Sequence, residues 1–352
     1  MLNEKQIEEL VRENLNNVIS MQMVEEIARD FPELKDAELY KGKVRANFTE
    51  KDFLVTPAGI PLRPIVTTDQ ISTHDKVRGL IPLKSQITNA ISNFMFDLIA
   101  PAMPNAQLSV PGASVVISEE CKPVDVEFVF RKYAARSTTT TSLYHHYFKE
   151  GNKGKFCGHE LPGNLVPNGP LPYLMDTPST KIREGEEGKE ASVSPEYLFQ
   201  ENKIDRDSYI RIRDALIKAY KIGEVFLARK GIILVDTKFE IGANNKGEFR
   251  IIDEALTFDS SRYWNKANYE ESMKAGKDPE SFSKQFARDI GKPGEPYSDE
   301  DRVKIACRYI QSYQMLTGKE FYLNTEPSRQ RIAKELRKGL DDVMSSVDFV
   351  IQ

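Results

Sequence analysis

Charged residues alternate with uncharged ones in segment 233–242, which reads ILVDTKFEIG. Because successive side chains of a strand point to opposite faces, Asp236, Lys238 and Glu240 share one face. The opposite face carries Val235, Thr237, Phe239 and Ile241. The segment therefore predicts a strand with one row of ionisable groups. This row is either part of a site or the solvated face of an ordinary sheet.

A turn-forming segment, GANNKGE, follows this strand and leads into FRIIDEAL, so the two segments predict a β-hairpin. With the turn near Asn245 or Lys246, Asp253 lies within about two residues of the position opposite Glu240. Two carboxylates on neighbouring strands suit a hard cation, and Mg²⁺ that carries nucleotide phosphates is the usual occupant. Lys238 would supply a point charge for a phosphate or acyl oxygen.

Several loops have the composition of anion-binding segments. The loop LTFDSSRYW supplies Ser260, Ser261 and Arg262, which can hold a phosphate through hydroxyl and bidentate contacts. The segment KGKVR places one glycine among three cations, where a backbone loop could cover a polyphosphate. RKYAARS and TPSTK are further candidates, although each alone fits a polar surface loop better than a site. No Walker-type or GxGxxG spacing is present.

Composition indicates a globular protein with small-molecule partners. The chain has 352 residues, 40% hydrophobic content, 49 basic and 53 acidic side chains and a formal charge of −4. This balance gives no indication of nucleic-acid binding, and the length is sufficient for two lobes. Three dispersed cysteines fit a reducing cytoplasm. No apolar run approaches about 18 residues, so we expect neither a signal peptide nor a membrane span.

Hydrophobic periodicity predicts the elements that position these groups. We expect one amphipathic helix over 3–29, which begins with a capping box at Asn3 and Gln6 and packs on the body of the protein. The Gly- and Pro-rich segment 149–195 predicts a wrapping loop or lid without regular structure. The remaining predictions are a strand over Val124–Ser137 and helices over Ser85–Ala100, Asp205–Arg229, Ser298–Thr317 and Pro327–Met344.

Taken in order, these segments resemble the SAICAR synthetase family. The resemblance rests on KGKVR, TTDQISTHD, IPLKSQITNAIS, VEFVFRKYAARS, CGHELPGNL, TPSTK, GIILVDTKFEIG, IIDEALTFDSSRYW, SKQFARD and YQMLTGKEF. No single motif is decisive, but the ordered set from about Leu39 to about Phe321 is specific. The helix before Lys35 and the tail after Leu323 lie outside it.

The resemblance implies a two-lobed α+β fold with antiparallel sheets and an ATP cleft like that of kinases and ATP-grasp enzymes. The expected organisation is an N-terminal helical extension (1–35), a β-rich N-terminal lobe covering the ATP phosphates (36–122) and a larger α+β lobe with the metal and ribotide site and the C-terminal helices (123–352). The implied reaction joins L-aspartate to the carboxylate of carboxyaminoimidazole ribotide (CAIR). It gives SAICAR while ATP becomes ADP and phosphate.

Roles for individual residues also follow from the resemblance. The loop over the ATP phosphates would comprise Gly42, Lys43 and Arg45. Mg²⁺ would be held by Glu240 and Asp253. Lys238 would face the transferring phosphoryl group or the carboxylate, and Asp236 would orient Lys238. The ribotide would be bound by Arg131, Ser137 and Arg262, helped by Ser260 and Ser261. Lys181 would lie in a lid that excludes water.

The chain departs from the family pattern near the expected amino-acid site. Gln70 stands where the family usually has arginine, and Arg136 stands where it has glycine before the ribotide serine. Arg136 could offset the missing arginine. After TPSTK, the stretch REGEEGKEASVS replaces a common His-Asp-Glu cluster. A related amide ligase with a different amine or acid, or a non-catalytic nucleotide-binding homologue, therefore remains an alternative.

Overall fold

Two antiparallel sheets line a common cleft in the computed structural model. The structure describes residues 1–34, 37–49, 54–73, 76–181, 190–282, 285–290, 292 and 294–345. The architecture is the mixed α+β fold with antiparallel sheets that the sequence predicts. The lobe boundaries at residues 35 and 122 remain predictions. Among the described helices, none has the length and apolar composition needed to span a membrane.

The N-terminal segment forms two helices, α1 (Glu4–Glu13) and α2 (Met21–Arg29). The capping box of Asn3 and Gln6 is confirmed. The prediction of one helix over 3–29 is wrong because three asparagines lie between residues 14 and 17, and asparagine side chains favour local hydrogen bonds over a helix interior. Ser20 then begins α2 by accepting a hydrogen bond from the Met23 N–H at 3.1 Å.

The smaller sheet belongs to the first half of the chain. In chain order its region comprises β1 (Glu38–Lys41), β2 (Arg45–Thr49), β3 (Leu62–Thr67), β4 (Gln70–Thr73), β5 (Lys76–Leu80), α3 (Lys84–Ile99), β6 (Gln107–Ser109) and β7 (Val115–Glu119). The sheet has the order β1-β2-β3-β7-β6, and β4 pairs with β5 separately. The predicted helix after Ser85 is confirmed as α3.

Side chains of the smaller sheet alternate between two environments. One face lines the cleft with Arg45, Asn47, Ile65, Thr67, Val116 and Ser118. The opposite face is apolar and contributes Ala46, Phe48, Leu62, Val66, Val115 and Ile117 to a separate core. This separation follows from the period of two in a strand.

The larger sheet carries the charged strand. Its region comprises β8 (Lys122–Tyr133), β9 (Lys155–Phe156), β10 (His159–Glu160), β11 (Pro170–Asp176), β12 (Ser179–Thr180), α4 (Pro195–Gln200), α5 (Arg206–Ala228), β13 (Ile232–Ala243), β14 (Phe249–Ile252) and β15 (Ser261–Asn265). The sheet runs β11-β8-β13-β14, with β12 also on β8 and β15 also on β13. The expectation that 149–195 lacks regular structure is wrong for its described part, because β11 and β12 hydrogen-bond to β8.

The remaining helices are α6 (Lys266–Lys274), α7 (Gln285–Asp289), α8 (Asp299–Thr317) and α9 (Ser328–Ser345). The main core lies between the larger sheet and helices α3, α5 and α8. By contrast, α9 packs on β6, β7 and α2, at the apolar face of the smaller sheet. The three predicted helices that correspond to α5, α8 and α9 are confirmed.

The strand that carries the charged row, β13, forms the predicted hairpin with β14. Glu240 lies opposite Ile252, so Asp253 is one residue beyond that pair. The register against β15 shifts between Leu234 and Asp236. Val235 therefore packs with a small cluster at Ala135 and Trp264 rather than with Phe239 and Ile241 in the main core. The prediction that Val235 shares their face is wrong because the bulge breaks the alternation.

Candidate active site

Lys238 is held by two carboxylates on the charged face of the larger sheet. Its Nζ lies 2.8 Å from Glu127 Oε1 and 2.7 Å from Glu240 Oε1. Glu127 and Glu240 are directly opposite each other on β8 and β13, where like charges destabilise a sheet. Lys181 binds the second oxygen of Glu240. The two ammonium groups therefore compensate the two carboxylates.

The opposite charges in this cluster stabilise each other's ionised forms. Burial alone would raise the pKa of Glu240, but the charges of Lys238 and Lys181 outweigh burial and hold that pKa at about 2. Burial alone would lower the pKa of Lys238, whereas Glu240 and Glu127 raise it well above its ordinary value. Lys238 is thus a permanent cation at neutral pH, and it suits electrostatic stabilisation rather than proton abstraction.

Arg45 connects the smaller sheet to the hairpin of the larger one. Its guanidinium binds Asp253 Oδ1, and its Nη2 lies 3.1 Å from Glu254 Oε2. Thr257 Oγ1 also donates to Glu254 at 2.7 Å. Asp253 adopts a left-handed backbone with φ of 64°, a conformation that aspartate and asparagine tolerate better than most residues. The contact places Asp253 beside Arg45 in the lining of the cleft, whereas Glu254 lies outside that lining.

The cleft between the sheets has a volume of about 510 Å³. Arg45 lines it from the smaller sheet, and Lys181, Glu240 and Asp253 line it from the other side. Gly42 and Lys43 lie in the turn between β1 and β2, close in sequence to Arg45 but not among the residues that line the cleft. The Gly42 N–H donates to the Arg45 carbonyl at 2.9 Å. A Cβ atom on Gly42 would lie 3.1 Å from that carbonyl oxygen, so the tight turn favours glycine.

A second cavity of about 290 Å³ adjoins the cleft across β13. It collects the five residues predicted for the ribotide, namely Arg131, Ser137, Ser260, Ser261 and Arg262, together with Asp236 and Lys238. Lys181, which was also predicted to bind substrate, lines the cleft instead. The loop that contains Ser260 is hydrogen-bonded to β13, because the Lys238 N–H donates to the Ser260 carbonyl at 2.9 Å. The hydroxyls of Ser261 and Thr237 are 2.8 Å apart. Segments that are distant in sequence therefore form one polar wall.

Asp236 pairs with two arginines in this second cavity. Arg262 Nε lies 2.8 Å from Asp236 Oδ1, and Arg131 Nη1 lies 3.2 Å from Asp236 Oδ2. Burial alone would raise the pKa of Asp236, but these two positive charges keep it below its ordinary value. The expectation that Asp236 orients Lys238 is therefore corrected: Asp236 orients the arginines, while Glu127 and Glu240 hold Lys238.

Sequence reasoning gave no role to several residues in this region. Arg288 of α7 lines the second cavity, and its signal was present in the motif SKQFARD. Asp259 also lines that cavity and forms an ion pair with Lys84 at 3.1 Å. The side chain of Lys84 is completely buried at the beginning of α3. No local pattern predicts this pair, because its two members lie far apart in sequence.

Gln70 and Arg136, which depart from the family pattern, contact different parts of the protein. Gln70 contacts the backbone at Met21 and Lys43. Arg136 Nε instead lies 2.9 Å from Asp278 Oδ1. The two side chains therefore serve different parts of the molecule in this structure. The stretch 182–189, which contains most of the replaced His-Asp-Glu region, lies outside the described residues.

Comparison with known proteins agrees with this arrangement. The family model for SAICAR synthetase matches residues 38–303. The chain belongs to the SAICAR synthetase family. A phosphoribosylaminoimidazole-succinocarboxamide synthase from Legionella pneumophila (strain Paris) is 33% identical over 86% of this chain and 95% of its own length. The chloroplastic synthase of Arabidopsis thaliana is 33% identical over 86% of this chain and 72% of its own length.

Solved structures of SAICAR synthetases share the fold. A SAICAR synthase from Saccharomyces cerevisiae complexed with SAICAR aligns with a TM-score of 0.66 and 26% identity, covering 82% of this chain and 97% of that one. A type-2 SAICAR synthetase in complex with ADP aligns with a TM-score of 0.60 and 21% identity. Helices α1, α2 and α9 lie outside the residues that match the family model.

His159 anchors the loop CGHELPGNL of this SAICAR synthetase family member to β11. Its Nε2 lies 2.7 Å from the Asp176 carbonyl oxygen and 3.2 Å from Asp176 Oδ1. The Tyr209 hydroxyl donates to Asp176 Oδ2 at 3.0 Å. The side-chain hydrogen bond to Asp176 raises the pKa of His159 above its ordinary value of 6.5. The imidazole of His159 therefore holds its proton more tightly in the folded state than in the unfolded state.

We expect His159→Gln to reduce the pH dependence of stability. A raised folded-state pKa contributes stability that is fully present below the unfolded pKa of 6.5 and is lost as pH rises through the folded pKa. The free energy of unfolding of the wild type should thus fall more than that of the variant between about pH 5.5 and about pH 8.5. Urea unfolding at both pH values measures this difference. Parallel profiles for the two proteins would contradict the assignment.

Proposed function

We propose that this protein joins the amine of L-aspartate to the carboxylate of CAIR and forms SAICAR, ADP and phosphate. The observation that carries the proposal is the arrangement of two adjoining cavities with Lys238 on their shared strand. One cavity contains the carboxylates predicted for a nucleotide metal, and the other contains the arginines and hydroxyls predicted for the ribotide. Membership of the SAICAR synthetase family supports the same reaction.

ATP occupies the cleft between the sheets in this proposal. Arg45 and the turn at Gly42 and Lys43 hold its phosphates, while Glu240 and Asp253 hold Mg²⁺. Among the described residues, no cluster of three or more His, Cys, Asp or Glu side chains could bind a metal. Two carboxylates on one cleft nevertheless fit Mg²⁺, since this ion commonly uses one or two protein carboxylates with phosphates and water. When bound, the ion neutralises charge on the phosphates.

The second cavity binds the ribotide. Arg131 and Arg262 present guanidinium groups to its carboxylate and 5-phosphate, and Asp236 fixes both groups in place. Ser137, Ser260 and Ser261 add hydroxyl contacts at the same wall. Rigid, paired arginines suit planar anions because each can donate two parallel hydrogen bonds.

The reaction has two bond-forming steps. A carboxylate is a poor electrophile, so its oxygen first attacks the γ-phosphorus of ATP, which gives an acyl phosphate and releases ADP. The deprotonated amine then attacks the acyl carbon, and the C–O bond to phosphate breaks. Lys238 stands between the cavities and compensates negative charge as the phosphoryl group moves. Lys181, which binds Glu240 and lines the cleft, helps to exclude water.

The function is tested by incubating the protein with CAIR, L-aspartate, ATP and Mg²⁺. We expect multiple turnovers, with ADP release that requires both CAIR and L-aspartate. ADP release with another amine far exceeding that with aspartate would favour a related amide ligase, which the departures at Gln70 and Arg136 make the second candidate. Nucleotide binding without any turnover would instead indicate a non-catalytic homologue.

We also propose a cytoplasmic location and small-molecule partners, with no nucleic-acid or membrane partner. A formal charge of −4 and a pI of about 5.8 support the absence of a nucleic-acid partner. A monomer or small homo-oligomer is proposed.

Removing Arg288 should weaken ribotide binding selectively. Arg288 lines the second cavity together with Arg131 and Arg262, so its guanidinium suits a further anion there. We expect Arg288→Ala to raise the KM for CAIR by about 30- to 100-fold, as for the loss of a charged hydrogen bond. Steady-state kinetics measure this change. The control is Arg213→Ala on α5, where Arg213 pairs with Asp214; equal changes in both variants would contradict the role.

A further inference from the structure

The N-terminal extension packs on the apolar face of the smaller sheet, and the opposite face of that sheet lines the cleft. Helix α2 contributes Val24 and Ile27 to the core on that face, and α9 contributes Ile332 and Leu336. The family match begins at residue 38, so α2 lies outside it. The sheet that lines the cleft is thus covered on its other face by segments that the family motifs do not include.

Backbone contacts fix the beginning of α2 against the segment that precedes β4. The buried carboxylate of Asp69 accepts hydrogen bonds from the Ile19 N–H and the Ser85 N–H, each at 2.7 Å. Asn17 Oδ1 accepts the Ser328 N–H at 2.8 Å, which joins the same segment to α9. The position of α2 is therefore defined from several directions.

Gln70 joins α2 to the turn at the nucleotide cleft. Its Oε1 accepts a hydrogen bond from the Met21 N–H at 3.2 Å, and its Nε2 donates to the Lys43 carbonyl at 3.0 Å. The neighbouring Thr68 donates to the Val44 carbonyl from its N–H at 2.9 Å and from its Oγ1 at 2.8 Å. Two successive carbonyls of the turn are thus fixed by the segment 68–70. Since a trans peptide is planar, these bonds also fix the N–H groups that follow.

We infer that Gln70 is a positioning residue that couples the N-terminal helix α2 to the Gly42–Arg45 turn and thereby sets nucleotide affinity. This inference rests on the proposed function, in which that turn covers the ATP phosphates. Gln70 acts through the backbone of Lys43 and touches no substrate. Its amide has an acceptor oxygen and a donor NH2 group, and each makes one of these hydrogen bonds. A turn that is ordered before binding loses less conformational entropy when the nucleotide arrives.

Two substitutions separate the two contacts. Gln70→Glu keeps an acceptor for the Met21 N–H but places a carboxylate oxygen against the Lys43 carbonyl. Gln70→Met has a similar length and removes both hydrogen bonds. Gln22→Ala is the matched control. Gln22 is exposed on helix α2, which Gln70 contacts at Met21, and its side chain contacts Glu26. Each protein is examined for its melting temperature, for ADP affinity by calorimetry and for the KM of each substrate.

We expect Gln70→Glu and Gln70→Met to weaken ADP affinity and raise the KM for ATP by about tenfold. The KM for CAIR and for L-aspartate should stay within about twofold of wild type, and Gln22→Ala should resemble wild type. A rise in the KM for CAIR or L-aspartate with unchanged ADP affinity would overturn the inference and assign Gln70 to the substrate site. A lower melting temperature with unchanged affinities would reduce Gln70 to a purely structural role. The proposed function is tested separately on the wild type, and it fails if ADP release does not require CAIR and L-aspartate.

Discussion

Asp253→Asn should abolish turnover while the protein remains folded. The substitution removes a charged oxygen from the proposed Mg²⁺ site, and we expect kcat to fall by about 10³-fold or more. Asparagine tolerates the left-handed backbone that Asp253 adopts at φ of 64°. Arg45 also retains its contact with Glu254. The measurements are kcat at saturating substrates, the Mg²⁺ concentration at half-maximal rate and the melting temperature.

Glu254→Gln is the matched control for that variant. Glu254 also binds Arg45, but the residues that line the cleft include Asp253 and not Glu254. Glu254 binds Arg45 and Thr257 and does not line the cleft, so its substitution should mainly affect stability. We expect the Mg²⁺ midpoint of Glu254→Gln to match wild type. A wild-type rate in Asp253→Asn would refute the metal assignment. Equal Mg²⁺ shifts in both variants would show that Asp253 acts through Arg45 instead of the metal.

The local part of the site could be predicted from the sequence. The alternation of Asp236, Lys238 and Glu240 and the turn that follows specify a hairpin, and these patterns depend on neighbouring residues only. The register places Asp253 one residue beyond the position opposite Glu240. The prediction was accurate here because a short turn leaves few possible registers.

Long-range partners could not be predicted in the same way. Asp236 binds Arg131 and Arg262, whereas Lys238 binds Glu127 across the sheet. These pairings depend on which strands are neighbours, and hydrophobic periodicity carries no such information. Local irregularities were also missed, because one bulged residue, Val235, moves from the main core to a separate cluster.

Lys238→Met should reduce turnover by about 10³-fold or more, because Lys238 is the cation between the two cavities. The same change leaves Glu127 and Glu240 opposite each other with Lys181 as the remaining described cation at Glu240. We therefore expect stability to fall by about 2 kcal/mol, less than for a fully buried pair because the Lys238 side chain is 31% exposed. Steady-state kinetics and urea unfolding measure the two effects.

The double variant Lys238→Met with Glu127→Gln separates the two roles. Removal of one carboxylate relieves the repulsion at Glu240, so the double variant should recover most of the lost stability. Turnover should remain as low as in Lys238→Met, since the cation between the two cavities is still missing. Recovery of turnover together with stability would show that Lys238 serves only to hold the sheet together. Its place on the strand shared by both cavities would then be structural, and the reaction would depend on Arg45 and Lys181 for positive charge.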